Sequence, residues 1–159
     1  MPKKPSAGLL VFRRAAGGDV EVLLVHPGGP FWRSKDEGAW SIPKGEIDDP
    51  GEDPLSVARR EFQEELGSPS PDTASAIPLG DVRQPSGKVV TAWAVEGDLD
   101  ADDITSNTFE TEWPPRSGRR QSFPEVDRAG WFGLDEARRK LLQGQGPFLD
   151  RLEAALSTA

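Results

Sequence analysis

Three glutamates, Glu61, Glu64 and Glu65, stand at i, i+3 and i+4 in the run Arg60-Glu61-Phe62-Gln63-Glu64-Glu65-Leu66-Gly67. In a helix, that spacing puts the three carboxylates on one face of successive turns. Carboxylate oxygens are hard ligands, which suits Mg²⁺, or Mn²⁺ in its place. With one histidine and no cysteine in the chain, zinc has few ligands to draw on. Like charges at i, i+4 repel. Glu61 and Glu65 have that relation, and a cation between them would relieve it. Arg60 can pair with Glu52 across the preceding loop or with Glu64 one turn on, stiffening the element either way. A solvated acidic helix face carries the same residues, so the glutamates alone leave both readings open.

The helix that must hold them has its own start and stop signals. Asp53 suits the N-cap, Pro54 the first helical position and Gly67 the C-terminal stop. Leu55, Ala58, Phe62 and Leu66 recur at helical spacing on a face roughly 100° from the glutamates. Upstream, residues 7–13 and 20–26 read as strands joined by the turn Ala15-Ala16-Gly17-Gly18-Asp19, a hairpin. Pro27-Gly28-Gly29-Pro30 then opens a loop bearing Phe31, Trp32, Arg33 and Lys35. A short strand is expected around Ala39–Ile42, leading into Pro43-Lys44-Gly45. Downstream, residues 68–75 read as a loop, with strands near Pro78–Arg83, Val89–Val95 and Arg128–Phe132. Helices are expected from about Leu134 to Leu142 and from Pro147 to Leu156. Residues 98–124 carry no clear periodicity, and so long a stretch in a compact domain is usually functional or disordered. No repeat or linker interrupts the chain, so residues 1–159 read as one domain. Strands flanked by a few helices and opening with a hairpin predict an α+β fold with a mixed sheet between helices.

Composition narrows the classes of function. A net charge of −8 argues against broad binding to nucleic acid or anionic membrane, both driven by clustered Lys and Arg. A small anionic substrate stays open, because a bound divalent cation inverts the local field. The absence of cysteine excludes disulfides and a thiol nucleophile. No run of about 18 apolar residues is present to span a membrane. Met1-Pro2-Lys3-Lys4-Pro5 is basic, but Leu9 to Phe12 is too short for a secretory apolar region and reads as a strand. A cytoplasmic protein, monomer or homodimer, is the expectation.

With the loop ahead of it, the helix resembles a known motif. Gly45-Glu46-Ile47-Asp48-Asp49-Pro50-Gly51-Glu52 followed by Arg60 to Gly67 is similar to the Nudix box, Gly-x5-Glu-x7-Arg-Glu-apolar-x-Glu-Glu-x-Gly-apolar. Glu52, Arg60, Glu61, Phe62, Glu64, Glu65 and Gly67 match in identity and relative spacing. Two positions depart: six residues rather than five separate Gly45 from Glu52, and Ser68 takes the last apolar place. The extra residue falls in Asp48-Asp49-Pro50-Gly51, where a turn can absorb it. The Trp40-x-x-Pro43-Lys44-Gly45 lead-in and the aromatic-bearing last strand extend the resemblance over most of the domain.

The resemblance implies a Nudix α/β/α sandwich and Mg²⁺-assisted substitution at phosphorus in a small, nucleotide-like anionic substrate. It puts Glu61, Glu64 and Glu65 in the place of metal ligands, with one of them alternatively the general base. It puts Glu52 and Arg60 in the place of an orienting ion pair. A further carboxylate from a distant loop is expected; Glu125, six residues before Trp131, is the first candidate, ahead of Glu110 and Glu112. The lead-in is similar to that of diadenosine polyphosphate hydrolases. This favours nucleoside polyphosphates over nucleoside triphosphates, ADP-ribose and nucleotide sugars. A nucleotide-sensing module without turnover is the alternative of another class, and the intact glutamate run argues against it.

The remaining candidates concern the substrate. Lys44 beside the box either contacts a phosphate or is solvated. Arg33 and Lys35 in the first loop are basic positions in an acidic chain. So are Arg116, Arg119 and Arg120 after Trp113-Pro114-Pro115, a segment that suits phosphate binding or a lid. Trp32 and Trp113, in loops, suit stacking on a base better than Trp40 and Trp93, for which core packing is the plainer fate. His26, at a strand end, reads as a structural histidine.

Overall fold

Residues on β1 (Ser6–Arg14) and β2 (Val20–Pro27) alternate between two apolar faces, and each face has its own helices to bury it. The computed structural model describes residues 4–157; the basic start Met1-Pro2-Lys3 read above lies outside them. The main sheet runs β4 (Ile77–Arg83), β5 (Val89–Glu96), β1, β2, β8 (Val126–Gly133), with the short β3 (Lys44–Glu46) paired to β1. The pairing of β1 with β5 is parallel and every other pairing is antiparallel, so the sheet is mixed.

Leu9, Val11, Leu23 and Val25 face α1 (Pro54–Leu66), which buries Val57, Ala58, Phe62 and Leu66. Leu10, Phe12, Val22 and Leu24 face the opposite layer, built from α2 (Leu134–Lys140) and α3 (Gly146–Ser157). An α/β/α sandwich results. Helix α1 begins where its caps dictate: the Asp53 carboxylate accepts the Ser56 amide at 3.3 Å, and Gly67 closes it at φ 74°.

Two local features differ from the sequence reading. Residues 39–42 make isolated bridges rather than a strand, Ser41 to Val25 and Trp40 to Leu141; the strand of that region is β3, beginning two residues later. Residues 98–124 are not structureless, because β6 (Thr108–Glu112) and β7 (Arg120–Pro124) pair as a separate hairpin.

Strand β1 divides its edge. Its last residues, Phe12 to Arg14, pair with β2, and its first, Ser6 to Gly8, pair with β3. The two neighbours therefore splay apart, and the 39–45 segment enters the gap. Gly8 makes this approach feasible: a Cβ there would lie 2.5 Å from the Pro43 carbonyl oxygen. This wedge carries Lys44 and Gly45 up to the polar side of α1.

Candidate active site

The polar side of α1 faces a cavity of about 340 Å³ whose walls include Glu61, Glu64, Glu65, Glu125, Lys44 and Lys88. The glutamates come from successive turns of one helix, as their spacing requires. Glu125 comes from the turn between β7 and β8 and is tied back to α1. Its amide donates to the Asn107 carbonyl at 2.8 Å, and the Asn107 amide donates to the Glu64 carbonyl at 2.9 Å.

Each of these carboxyls is held in a distinct way. Glu65 is turned into the wall, where its Oε1 accepts the Lys44 amide at 3.0 Å. Burial pushes its pKa up to about 8, with Glu61 and Glu125 adding to the shift and the Lys44 amide and charge opposing it. Glu61 is pushed up to about 7, by burial first and by Glu64 next, against the pull of Arg60. Glu125 is raised too, by burial and then by Glu64. Lys44 is lowered, first by burial and then by the Lys88 charge. Like charges crowded out of water favour the neutral acid unless a cation joins them.

The residues also brace one another. Arg60 resolves the choice posed by its two possible partners: its Nη1 lies 2.7 Å from Glu52 Oε2, and its Nη2 3.9 Å from Glu61 Oε1. The extra loop residue is absorbed in a turn, where the Gly51 amide donates to Asp49 Oδ1 and the Glu52 amide to the Asp49 carbonyl, both at 2.9 Å. Gly45 leaves no room for a side chain, since a Cβ there would fall 2.0 Å from the Glu61 carboxyl carbon. Gly45→Ala should therefore displace Glu61 from its rotamer. The expected result is a loss of turnover of about 100-fold, in line with the cost of a misplacement near 1 Å at a reacting centre. Steady-state kinetics beside an unchanged far-UV circular dichroism spectrum would show it.

The donor chemistry fits a hard divalent cation: an all-oxygen set, concentrated in one polar cavity, with acids that a cation would return to the carboxylate form. Among the described residues, no three acidic side chains already stand as a closed coordination group. The glutamates share a cavity rather than a point, and Glu65 would have to turn from its amide partner to ligate.

A second hollow, about 140 Å³, adjoins the first and shares Lys44, Glu65 and Glu125 with it. Its other walls are apolar: Val25, Ile42, Leu142 and the ring of Trp32. Trp32, half-buried against the core, is thus brought to the site. Arg33, Arg116, Arg119 and Trp113 line neither hollow. Glu110 pairs with Arg120 at 3.8 Å and Glu112 accepts the Arg116 amide at 2.7 Å, so both serve the hairpin. His26 is buried, with Nδ1 2.8 Å from Asp127 and Nε2 2.7 Å from the Lys35 carbonyl, the structural role expected of it. Trp40 is likewise a core residue, its Nε1 donating to Asp36.

Two residues of the cavity escape sequence reasoning. Lys88 enters from the start of β5, and Ser6 from the start of β1, by the register that sets Ser6 opposite Val90. The Ser6 hydroxyl is the one buried side-chain polar atom without a hydrogen-bond partner among the described residues. A serine opening an apolar strand is the only local signal either offers.

The family model described as the NUDIX domain matches residues 2–152. The chain belongs to that family. Among curated relatives, Nudix hydrolase 25 of Arabidopsis thaliana is 54% identical over 41 residues, which is 26% of this chain and 23% of that protein. The match thus spans about a quarter of that relative's length. Among solved structures, this Nudix chain is similar to a C. elegans Ap4A hydrolase in a binary complex, with TM-score 0.67 and 24% identity over 99% of this chain and 100% of that one. It is also similar to the NUDIX domain of Shewanella oneidensis NrtR complexed with ADP ribose, with TM-score 0.65 and 15% identity over 98% and 90% of the two chains. At these identities the two structures establish the shared fold: a mixed sheet between helices.

Proposed function

We propose that this chain is a Mg²⁺-dependent pyrophosphohydrolase that cleaves a phosphoanhydride bond in a nucleoside polyphosphate. The supporting observation is the junction of the two hollows. A carboxylate-lined cavity meets an apolar one with a tryptophan wall, and Lys44, Glu65 and Glu125 belong to both. A nucleotide has the same division, an apolar base beside a polyanion that needs cations.

In this reading Glu61, Glu64 and Glu65 would hold Mg²⁺, or Mn²⁺ in its place, which supplies charge neutralisation on the phosphates and a more acidic water. Arg60, braced by Glu52, keeps Glu61 in place. Trp32 receives the base, and the Lys44 ammonium faces the phosphates. Glu125 takes the proton of the attacking water: it lines both hollows, and its carboxyl, unlike that of Glu65, accepts no hydrogen bond among the described residues. The water oxygen bonds to phosphorus, the anhydride bond breaks, and the leaving phosphate departs with its electron pair. Residues 1–159 act as one domain on small nucleotides rather than on nucleic acid. No described helix is long and apolar enough to cross a membrane.

The test is product analysis by mass in ¹⁸O water, with Mg²⁺, across dinucleoside polyphosphates, nucleoside triphosphates, ADP-ribose and nucleotide sugars. Turnover of the polyphosphates with label in a phosphate product is expected. Binding without turnover anywhere in the panel would replace the enzyme by a nucleotide-sensing module.

A further inference from the structure

The β6–β7 hairpin rises from the carboxylates and ends beside the first loop. At its base, Asn107 and Glu125 are bonded to each other and to α1. Midway, the Phe109 ring lies against Gly29, at 2.9 Å from where a Cβ would stand. At its tip, Trp113 meets Phe31 edge-on, with ring centroids 5.6 Å apart at 73°. Five residues of strand cover about 17 Å, so the hairpin and the loop form one continuous wall leading away from the reacting centre.

Phe31 is 65% exposed, the only large apolar side chain left so among the described residues. It is nonetheless held firmly. The Gly28 amide is bonded to the Glu125 carbonyl at 2.9 Å, the Lys35 amide to the Trp32 carbonyl at 2.9 Å, and the Trp113 amide to the Arg119 carbonyl at 2.9 Å. Its neighbour Trp32 turns inward to the apolar hollow while Phe31 stays at the surface. Around the aromatic pair stand Arg33, Arg116 and Arg119, none of them in an ion pair among the described residues, in a chain of net charge −8. A rigid exposed ring gains affinity for a flat π-system at little entropic cost, and unpaired guanidiniums favour phosphate.

We propose that this outer wall is a second-nucleoside subsite: the far base of a dinucleoside polyphosphate stacks on the Phe31–Trp113 pair, and Arg33, Arg116 and Arg119 hold its distal phosphates. The inference rests on the reading of the inner site as a polyphosphate hydrolase and adds the class of substrate, one with a base at each end. A mononucleotide fills the inner hollow alone and leaves the aromatic pair in water.

The experiment compares diadenosine tetraphosphate with adenosine tetraphosphate, which has the same phosphates and one base fewer. Calorimetric affinity and kcat/KM are measured for the wild type, Phe31→Ala, Phe31→Tyr and Trp113→Ala. Base–aromatic stacking lost to alanine costs one to two orders of magnitude. The preference for the two-base ligand should therefore fall about tenfold or more in either alanine variant and persist in Phe31→Tyr. An unchanged preference, or equal losses for the two ligands, overturns the subsite. A wild type that turns over neither ligand overturns the hydrolase reading instead, while its affinities still report on the subsite.

Discussion

Glu64→Gln is expected to lower kcat by about 10²- to 10³-fold while the protein melts no lower than the wild type. The structural contribution of Glu64 comes from its backbone, whose carbonyl accepts the Asn107 amide at 2.9 Å, and an isosteric amide leaves that bond intact. Its carboxylate lines the polar cavity and raises the Glu61 pKa, so its removal relieves a like-charge contact. What is lost is one ligand oxygen charge. Lewis-acid stabilisation of phosphoryl transfer is worth several kcal/mol, and each ~1.4 kcal/mol is a factor of ten. Kinetics and scanning calorimetry on the same preparation separate the effects. An undiminished kcat removes Glu64 from the site, and a melting temperature several degrees lower makes it a structural residue.

Chelation of divalent metal is expected to abolish turnover and to leave a protein that loses stability as pH rises. Glu61 is pushed up to about 7 and Glu65 to about 8 from an ordinary 4.5. A carboxyl raised on folding binds its proton more tightly in the folded chain. Between the two values the folded state holds the extra protons, so stability falls with increasing pH through that window. The metal-free melting temperature should then be higher near pH 5 than near pH 8. Asp36, held below its ordinary value chiefly by Lys140, acts in the opposite direction but only at lower pH. Mg²⁺ binds the ionised carboxylates alone, so its stabilisation should be largest near pH 8 and should flatten the slope. Melting curves across pH, with and without Mg²⁺, give the answer. A slope identical in both conditions contradicts the shared cation.

The parts legible from sequence are the parts with local causes. Helix α1 was bounded by Asp53, Pro54 and Gly67, and its two faces by 3.6-residue spacing, so the three glutamates could be placed together before any tertiary contact was known. The β6–β7 hairpin was not legible. Apart from Phe109 and Phe123, its strands Thr108–Glu112 and Arg120–Pro124 are polar and open to solvent on both faces, so no apolar alternation marks them. Residues 39–42 read as a strand because they are apolar, yet only Ser41 reaches Val25 where β2 has diverged from β1. Glu125 could be reached only through the resemblance, since nothing in Pro124-Glu125-Val126 distinguishes it from a surface loop charge. Lys88 and Ser6 depend on strand register, which no local pattern specifies.

Calorimetric titration of the metal-free protein with Mg²⁺ at pH 7.5, in two buffers of different ionisation heat, is the most direct measurement. It reads at once whether the α1 glutamates gather around an ion and whether protons leave when they do. Saturable binding with proton release is expected, and its loss in Glu61→Gln/Glu64→Gln. No saturable binding, or binding that releases no protons and survives both substitutions, would contradict the carboxylate site on which the proposed chemistry depends.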